Sequence, residues 1–151
     1  MPKATIKIEE AKISNLEDIY SLLKLVDLPI EGVEETIANF LLLIRQTDSE
    51  EELVGCVGLE IYEEYALLRS AAIHPDHQGK NYGKQLVLAI IAYAKLIGAK
   101  QLFLLTETAE LFFEKMSFSK IERSQVPAIV KTSIEFESLC DESAIVMVLQ
   151  L

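Results

Sequence analysis

Cysteine, basic residues and long apolar runs are all scarce in this sequence, and each scarcity excludes a class of protein. Only Cys56 and Cys140 are present, too few for a disulfide framework or a cysteine-based metal cluster. Acidic residues outnumber basic ones 24 to 14, and the net charge of −10 has the wrong sign for a non-specific grip on nucleic acid or an anionic membrane. Residues 1–10 contain no apolar signal core, and no run reaches the roughly 20 apolar residues of a membrane span. We therefore expect a cytoplasmic protein with no metal, no nucleic-acid partner and no membrane partner.

Half of the residues are hydrophobic, which is enough to build a packed core. No repeat or linker divides the chain, so residues 1–151 are predicted to form a single domain. The apolar pattern predicts the order β-α-α-β-β-β-α-β-α-β-(α)-β, an α/β arrangement. Its clearest part is an antiparallel meander over residues 40–44, 53–62 and 65–73, followed by a helix from Tyr82 that Gly98 caps. We further predict helix caps at Ser14 and Thr108 and a helix over residues 127–139.

The segment from Ile73 to Lys84, where a strand ends and a long helix begins, has the most chemical information. Gly79 and Gly83 allow a sharp turn and a close approach to a ligand. N–H groups at the helix start suit phosphate oxygens, and Lys80 and Lys84 add local positive charge. The segment lacks the Gly-Lys-Ser/Thr of a P-loop and the three glycines of a dinucleotide fingerprint. On spacing alone, an ordinary strand-to-helix connection that contains two glycines is an equal alternative.

In its context, this segment resembles the acetyl-CoA loop of the GNAT superfamily of N-acetyltransferases. The family reads Gln/Arg-x-x-Gly-x-Gly/Ala after a hydrophobic-x-Pro turn, and this chain has Gln78-Gly79-Lys80-Asn81-Tyr82-Gly83 after Ile73-His74-Pro75. Asn81 replaces a glycine, and asparagine tolerates positive φ. The element order matches as well, so the resemblance covers nearly the whole chain. It implies a mixed, mostly antiparallel central sheet flanked by helices, with a splayed strand pair at the cofactor site.

A closer resemblance is suggested by several phrases taken together. They are similar to a GNAT subfamily often associated with arsenic-resistance operons, and they lie at residues 28–32, 54–60, 67–70, 104–113 and 136–140. The association names no substrate.

The family resemblance implies a cofactor site built largely from backbone. Ala71, Ala72 and Ile73 would hold pantetheine, and the amide of Ala72 or Ile73 would stabilise the oxyanion. Phe113 would pack near the pantetheine. The pyrophosphate would lie on the amides of Gln78, Gly79, Lys80, Asn81, Tyr82, Gly83 and Lys84. In this family the amine attacks the thioester directly, so no covalent enzyme intermediate is needed.

The residues that move protons are less well defined by the resemblance. Glu60 and Glu64 are candidate bases, and a solvated acidic turn is an equal alternative. The family's usual acid is a tyrosine, but this chain has Phe112-Phe113 there, so water is expected to protonate the thiolate.

Arg69 and Ser70 are the candidate acceptor-binding residues. A buried arginine is costly unless it is paired. If residues 67, 69, 71 and 73 share one strand face, Arg69 can reach a substrate carboxylate. A structural ion pair with an acid such as Glu60 is an equal alternative. Cys56 and Cys140 are expected to be small buried hydrophobes rather than ligands.

The predicted function is transfer of acetyl from acetyl-CoA to a small amine or amino-acid-like acceptor. A protein or peptide N-acetyltransferase and a non-catalytic acetyl-CoA sensor are the alternatives. A homodimer is compatible with the apolar terminal strand.

Overall fold

The computed structural model describes residues 4–139 and 142–151. Its strands are β1 (Thr5–Glu10), β2 (Phe40–Gln46), β3 (Glu51–Tyr62), β4 (Tyr65–Ile73), β5 (Gln101–Thr106), β6 (Ser119–Ile121) and β7 (Ile145–Gln150). The α-helices are α1 (Leu16–Leu25), α2 (Tyr82–Leu96) and α3 (Glu110–Lys115). Short 3-10 turns lie at Ile13–Asn15, Glu34–Asn39, Pro75–His77, Arg123–Gln125 and Val130–Thr132, and a π turn at Glu135–Leu139.

The strands form one open sheet with the order β1-β2-β3-β4-β5-β7-β6. The pairs β1–β2, β2–β3, β5–β7 and β6–β7 are antiparallel, and β4–β5 is parallel. The predicted α/β class with a mostly antiparallel sheet is therefore confirmed. The chain divides into two compact units, Met1–Gly58 with Ser70–Ile90 and Leu59–Arg69 with Ile91–Leu151. That residues 1–151 act as one domain stays a prediction.

In the first unit, α1 buries one apolar face against β2. Ile19 and Leu23 are fully buried and belong to the same core cluster as Phe40 and Leu42. These side chains are spaced as one face of a helix and one face of a strand require. Burial of a large apolar side chain stabilises a fold by about 1.5–3 kcal/mol, so this cluster is a main contributor to the unit's stability.

In the second unit, β5 contributes a buried side chain to the core and pairs with β7. It pairs antiparallel with β7, from Gln101 opposite Gln150 to Thr106 opposite Ile145. Phe103 on this strand is buried, in a core cluster with the side chains of Leu67, Val126, Val130, Val146 and Val148.

The parallel pair β4–β5 has a short ladder. Only Tyr65–Leu67 and Gln101–Phe103 are in register, although β4 continues to Ile73 and β5 to Thr106. In the part of the chain described, backbone pairing between these strands thus stops before either strand ends. That this pair splays at the cofactor site stays a prediction.

Three local predictions are wrong. Ser14 does not cap α1; instead Asn15 Oδ1 accepts the Lys12 N–H at 2.8 Å, and a 3-10 turn precedes the helix. Thr108 does not cap α3, because Thr106 Oγ1 accepts the Ala109 N–H at 2.9 Å. The helix predicted over residues 127–139 is a 3-10 turn and a π turn, interrupted by extended backbone at Ser133.

Candidate functional site

The loop between β4 and α2 has the sharp turns that its sequence predicts, but only one glycine makes them. Gly79 has φ +80° and Asn81 has φ +71°, so both lie in the left-handed region. The prediction that Asn81 replaces a glycine at positive φ is confirmed. Gly83 is instead the second residue of α2 and is not in the left-handed region, so the turn does not depend on it.

Hydrogen bonds fix the loop to the end of β4. The Gln78 side-chain amide donates to the Ile73 carbonyl oxygen at 3.1 Å, and the His77 N–H donates to the His74 carbonyl oxygen at 2.9 Å. The His74 N–H in turn donates to the Val54 carbonyl oxygen on β3 at 2.8 Å. The Gln78 side chain is therefore a brace of the loop, which leaves the exposed backbone from Gln78 to Asn81 for a ligand.

The loop surface is open and carries local positive charge. Gln78, Gly79, Lys80, Asn81 and Lys84 are all exposed, and a Cβ added at Gly79 would meet no atom within 4 Å. The loop leads directly into the 15-residue helix α2, which starts at Tyr82. An exposed turn at the start of a long helix, with lysines beside it, suits an anionic group such as a phosphate.

The last residues of β4 do not continue the simple alternation of the strand. Ser70 has φ +57°, so a left-handed residue interrupts the strand, and Arg69 and Ser70 are both buried. The prediction that residues 67, 69, 71 and 73 share one face is therefore wrong beyond Ser70. Ala71 is exposed, Ala72 is buried and Ile73 is half-buried.

Gly55 on β3 makes the packing at the end of β4 possible, a role that the sequence analysis missed. A Cβ at this position would lie 2.7 Å from Ile73 Cδ1, 2.7 Å from Leu86 Cδ1 and 3.2 Å from the Ala72 carbonyl oxygen. The absence of a side chain thus lets Ile73 and α2 approach β3 closely. The glycine in Val54-Gly55-Cys56 was the available signal.

A second group of polar side chains is buried in the other unit, around Glu60 of β3. Arg69 Nη1 donates to Glu60 Oε2 at 2.7 Å, and the Arg69 side chain has no exposed surface. Glu60 Oε1 accepts two hydroxyl groups, Tyr62 Oη at 2.5 Å and Ser133 Oγ at 2.5 Å. Arg69 Nε also lies 3.5 Å from Glu135 Oε1. We call these five residues the Glu60 cluster.

This geometry bears directly on two predicted roles. The structural ion pair between Arg69 and Glu60, kept as an alternative to acceptor binding, is confirmed. A direct contact of Arg69 with an acceptor carboxylate would require the guanidinium to leave a buried carboxylate. As a base, Glu60 would have to take a proton while it accepts from three donors, so its assignment stays a prediction that this geometry disfavours.

Glu64, the other candidate base, lies at the exposed turn between β3 and β4. Its carboxylate is 3.4 Å from Lys100 Nζ, and its carbonyl oxygen accepts the Lys100 N–H at 2.7 Å. This is the solvated acidic turn of the alternative interpretation, and a catalytic role for Glu64 also stays a prediction.

Tyr62 contributes a phenol that stays protonated. Desolvation, with the hydrogen bond to Glu60 as a further cause, raises the pKa of Tyr62 to about 12. The phenol is therefore a neutral hydrogen-bond donor at physiological pH.

Phe113 is a core residue of its own unit. It is 6% exposed, and its ring centroid lies 5.4 Å from that of Phe118, edge to face. Phe112 is the more exposed of the two, at 37%. The proposed contact of Phe113 with pantetheine stays a prediction.

Two further observations concern the predicted absences. In residues 4–139 and 142–151, no three His, Cys, Asp or Glu side chains are arranged to hold a metal ion. No helix among these same residues is long and apolar enough to cross a membrane. Cys56 is buried, as expected, and Cys140 lies outside the described residues.

Comparison with known proteins relates the chain to a family. Residues 38–120 match the model of the acetyltransferase (GNAT) domain. The chain is 30% identical over 131 residues to the amino-acid acetyltransferase of Aeromonas salmonicida, covering 79% of this chain and 29% of the relative. It is 25% identical over 140 residues to that of Vibrio cholerae, covering 87% of this chain and 31% of the relative. The chain thus spans about three tenths of the length of these relatives.

Solved structures show the same fold. N-acetylglutamate synthase from Neisseria gonorrhoeae, complexed with coenzyme A and N-acetyl-glutamate, superposes with a TM-score of 0.82 at 22% identity, over 99% of this chain and 36% of that one. Rv2747 from Mycobacterium tuberculosis, in complex with CoA and NLQ, gives a TM-score of 0.78 at 23% identity, over 96% of this chain and 99% of that one.

Proposed function

Because the chain belongs to the acetyltransferase (GNAT) domain family, we propose that it transfers an acetyl group from acetyl-CoA to the amine of a small, amino-acid-like acceptor. The observation that carries the proposal is the loop from Gln78 to Lys84. Its residues 78–81 are exposed, it contains left-handed Gly79 and Asn81, and it continues into the first turn of a 15-residue helix. These are the features that a pyrophosphate-binding turn requires.

In this proposal the cofactor lies along the backbone from β4 to α2. The pyrophosphate accepts from the amides of the loop, and pantetheine lies against Ala71, Ala72 and Ile73. The Ile73 N–H is the proposed donor to the oxyanion that develops on the thioester carbonyl. Gln78 supports this part of the site by bonding the Ile73 carbonyl oxygen.

The proposed chemistry is direct attack by the neutral amine on the thioester carbon. The N–C bond forms, the C–S bond breaks, the attacking nitrogen gives up its extra proton to water, and coenzyme A leaves as a thiolate. Residue 113 is phenylalanine and has no proton to give, so water protonates the thiolate in this scheme. Rate enhancement then comes from positioning and oxyanion stabilisation.

An amino-acid acceptor is favoured over a peptide by the relatives, which are named amino-acid acetyltransferases. The Glu60 cluster has a supporting role here: it holds β3, β4 and residue 133 together with buried hydrogen bonds. Ser70 stays a proposed acceptor-side residue. The arsenic-resistance subfamily, a cytoplasmic location and a homodimer also stay predictions.

A thiol-release assay with acetyl-CoA tests this function. Free amino acids, their N-acetylated forms and short peptides would be compared as acceptors, with acetyl-CoA alone as the blank. Release of coenzyme A with free amino acids but not with their N-acetylated forms supports the proposal. Release with peptides alone would favour the peptide acetyltransferase. Tight binding of acetyl-CoA with no release above the blank would favour the sensor.

A further inference from the structure

His77 is a buried side chain of the loop that the proposed reaction does not use. It is 9% exposed and lies on the 3-10 turn between β4 and α2. Its Nδ1 lies 3.3 Å from Lys80 Nζ, and its Nε2 lies 3.4 Å from Glu52 Oε1 on β3. The imidazole therefore connects the beginning of β3 to the lysine in the middle of the loop.

Both neighbours require the same tautomer of the ring. An ammonium group can only donate, so Nδ1 must accept from Lys80 and carry no proton. A carboxylate can only accept, so the proton of the neutral ring belongs on Nε2, facing Glu52. Glu52 is itself 3.8 Å from Arg45 Nη1, which holds the carboxylate from its other side.

Lys80 stands at the turn, between the two left-handed residues Gly79 and Asn81. Its ammonium would otherwise move freely on a four-carbon chain, and restricting such a side chain costs binding free energy. The contact with His77 already restricts the Lys80 side chain in the free protein, so a ligand does not have to restrict it on binding.

We propose that His77 is a positioning residue that holds the ammonium of Lys80 in the loop for the phosphate groups of coenzyme A. The inference rests on the proposed function, since it assumes that coenzyme A binds at this loop. It assigns His77 no proton transfer and no direct contact with the cofactor. Pre-ordering one long side chain corresponds to about 2- to 12-fold in affinity.

A different role for His77 is simple packing, because its ring also contacts other rings. The centroids of the His74 and Tyr82 rings lie 5.8 Å and 6.5 Å from that of His77. Two variants separate these roles. His77→Asn places an amide oxygen near the position of Nδ1 and removes the ring, whereas His77→Phe keeps a ring and removes the acceptor.

The test is calorimetric titration of coenzyme A into the wild type, His77→Asn, His77→Phe, Lys80→Met and the double variant His77→Phe/Lys80→Met. We expect His77→Phe to weaken binding by about 2- to 12-fold and His77→Asn to stay close to the wild type. In the Lys80→Met background, the further loss from His77→Phe should disappear. Pantetheine, which lacks phosphates, should bind the wild type and His77→Phe equally.

The opposite order, with His77→Asn weaker than His77→Phe, would assign His77 to packing and overturn the inference. Equal affinity of His77→Phe and the wild type would also overturn it, as would a full His77→Phe loss that persists without Lys80. Thermal unfolding shows whether His77→Asn has a fold defect. If it has one, the comparison of His77→Phe with and without Lys80→Met decides between the positioning role and the packing role. If the wild type does not bind coenzyme A at all, the proposed function fails first.

Discussion

Arg69 is the residue whose environment most restricts its role. Its guanidinium is fully covered and bound to Glu60 at 2.7 Å. We expect Arg69→Ala to lower the free energy of unfolding by about 3–5 kcal/mol, because it leaves a buried carboxylate without its counter-charge. Arg45→Ala is the matched control: its pair with Glu52 is longer, at 3.8 Å, and partly exposed, so its loss should be below about 1 kcal/mol.

Urea unfolding of both variants measures this difference. A stable Arg69→Ala protein that loses activity only with carboxylate-bearing acceptors would contradict the structural role. It would restore the acceptor-binding assignment.

The raised pKa of Cys56 predicts how the free energy of unfolding depends on pH. Burial raises the pKa of its thiol from the ordinary 9.0 to about 12, and its Sγ donates to the Ser70 carbonyl oxygen at 3.3 Å. Above pH 9 the unfolded thiol loses its proton while the folded one keeps it, so stability from this group is present below pH 9 and is lost as the pH rises towards 12.

Urea unfolding between pH 8 and about 11, in a Cys140→Ser background, measures the effect. The parent should lose stability more steeply than the Cys56→Ala variant, and its thiol should resist aromatic disulfide reagents until the protein unfolds. Rapid labelling of folded protein at pH 8 would show that Cys56 is not buried as described.

At the scale of elements, we expect any side chain at Gly79, in the turn before α2, to weaken cofactor binding. Gly79 and Gly98 offer a matched pair, with φ +80° and +93° and no atom within 4 Å of an added Cβ at either position. Gly79→Leu and Gly98→Leu should therefore have a similar cost in stability, about 1–2 kcal/mol. Only Gly79→Leu should weaken coenzyme A binding, by about tenfold or more, because its side chain covers the loop amides.

Calorimetry of coenzyme A binding, beside thermal unfolding, checks this pair. Equal affinity in the two variants would place the phosphates elsewhere on the molecule.

Ser133 separates the 3-10 turn of residues 130–132 from the π turn that follows. Its hydroxyl donates to Glu60 and accepts the Glu135 N–H at 3.1 Å. Ser133→Ala should cost about 1–3 kcal/mol, since it removes a buried hydroxyl that donates to the Glu60 carboxylate and accepts the Glu135 N–H. Thr132→Ala is the control, because its exposed hydroxyl bonds only the local Ile129 carbonyl oxygen at 2.6 Å, and it should change stability by less than about 0.5 kcal/mol. Equal unfolding free energies for the two variants would contradict this role of Ser133.

The elements show which features a sequence can predict. The bounds of β4 were predicted residue for residue, because an apolar run between a turn and His74-Pro75 has few other interpretations. Asn81 was predicted from intrinsic backbone preference. The caps at Ser14 and Thr108 were wrong because a neighbouring side chain, Asn15 or Thr106, makes the bond instead. The contact of Ser133 with Glu60 joins residues 73 positions apart, and no local pattern contains that information.

At the scale of the whole molecule, the family resemblance predicted more than the periodicity alone. The pattern of residues predicted the order of elements, whereas a single mixed, mostly antiparallel sheet followed from the resemblance. The Arg69–Glu60 pair was one of two alternatives that the sequence left open, but nothing in the resemblance predicted Tyr62, Ser133 and Glu135 beside it. Burial and partner choice decide whether an arginine binds a substrate or a neighbouring glutamate, and both depend on packing rather than on motif.

The central claim is that this chain moves an acetyl group from acetyl-CoA to an amine without an intermediate on the protein. Following the acetyl group itself is the most direct test. The protein would be mixed with acetyl-CoA that is isotope-labelled in the acetyl group, without an acceptor and with each free amino acid of the thiol-release assay in turn, and all species would be analysed by mass spectrometry. We expect the label on the amino group of the acceptor, none on the protein, and unchanged acetyl-CoA when no acceptor is present. Label that stays on coenzyme A with every acceptor, or that accumulates on the protein, would contradict the account.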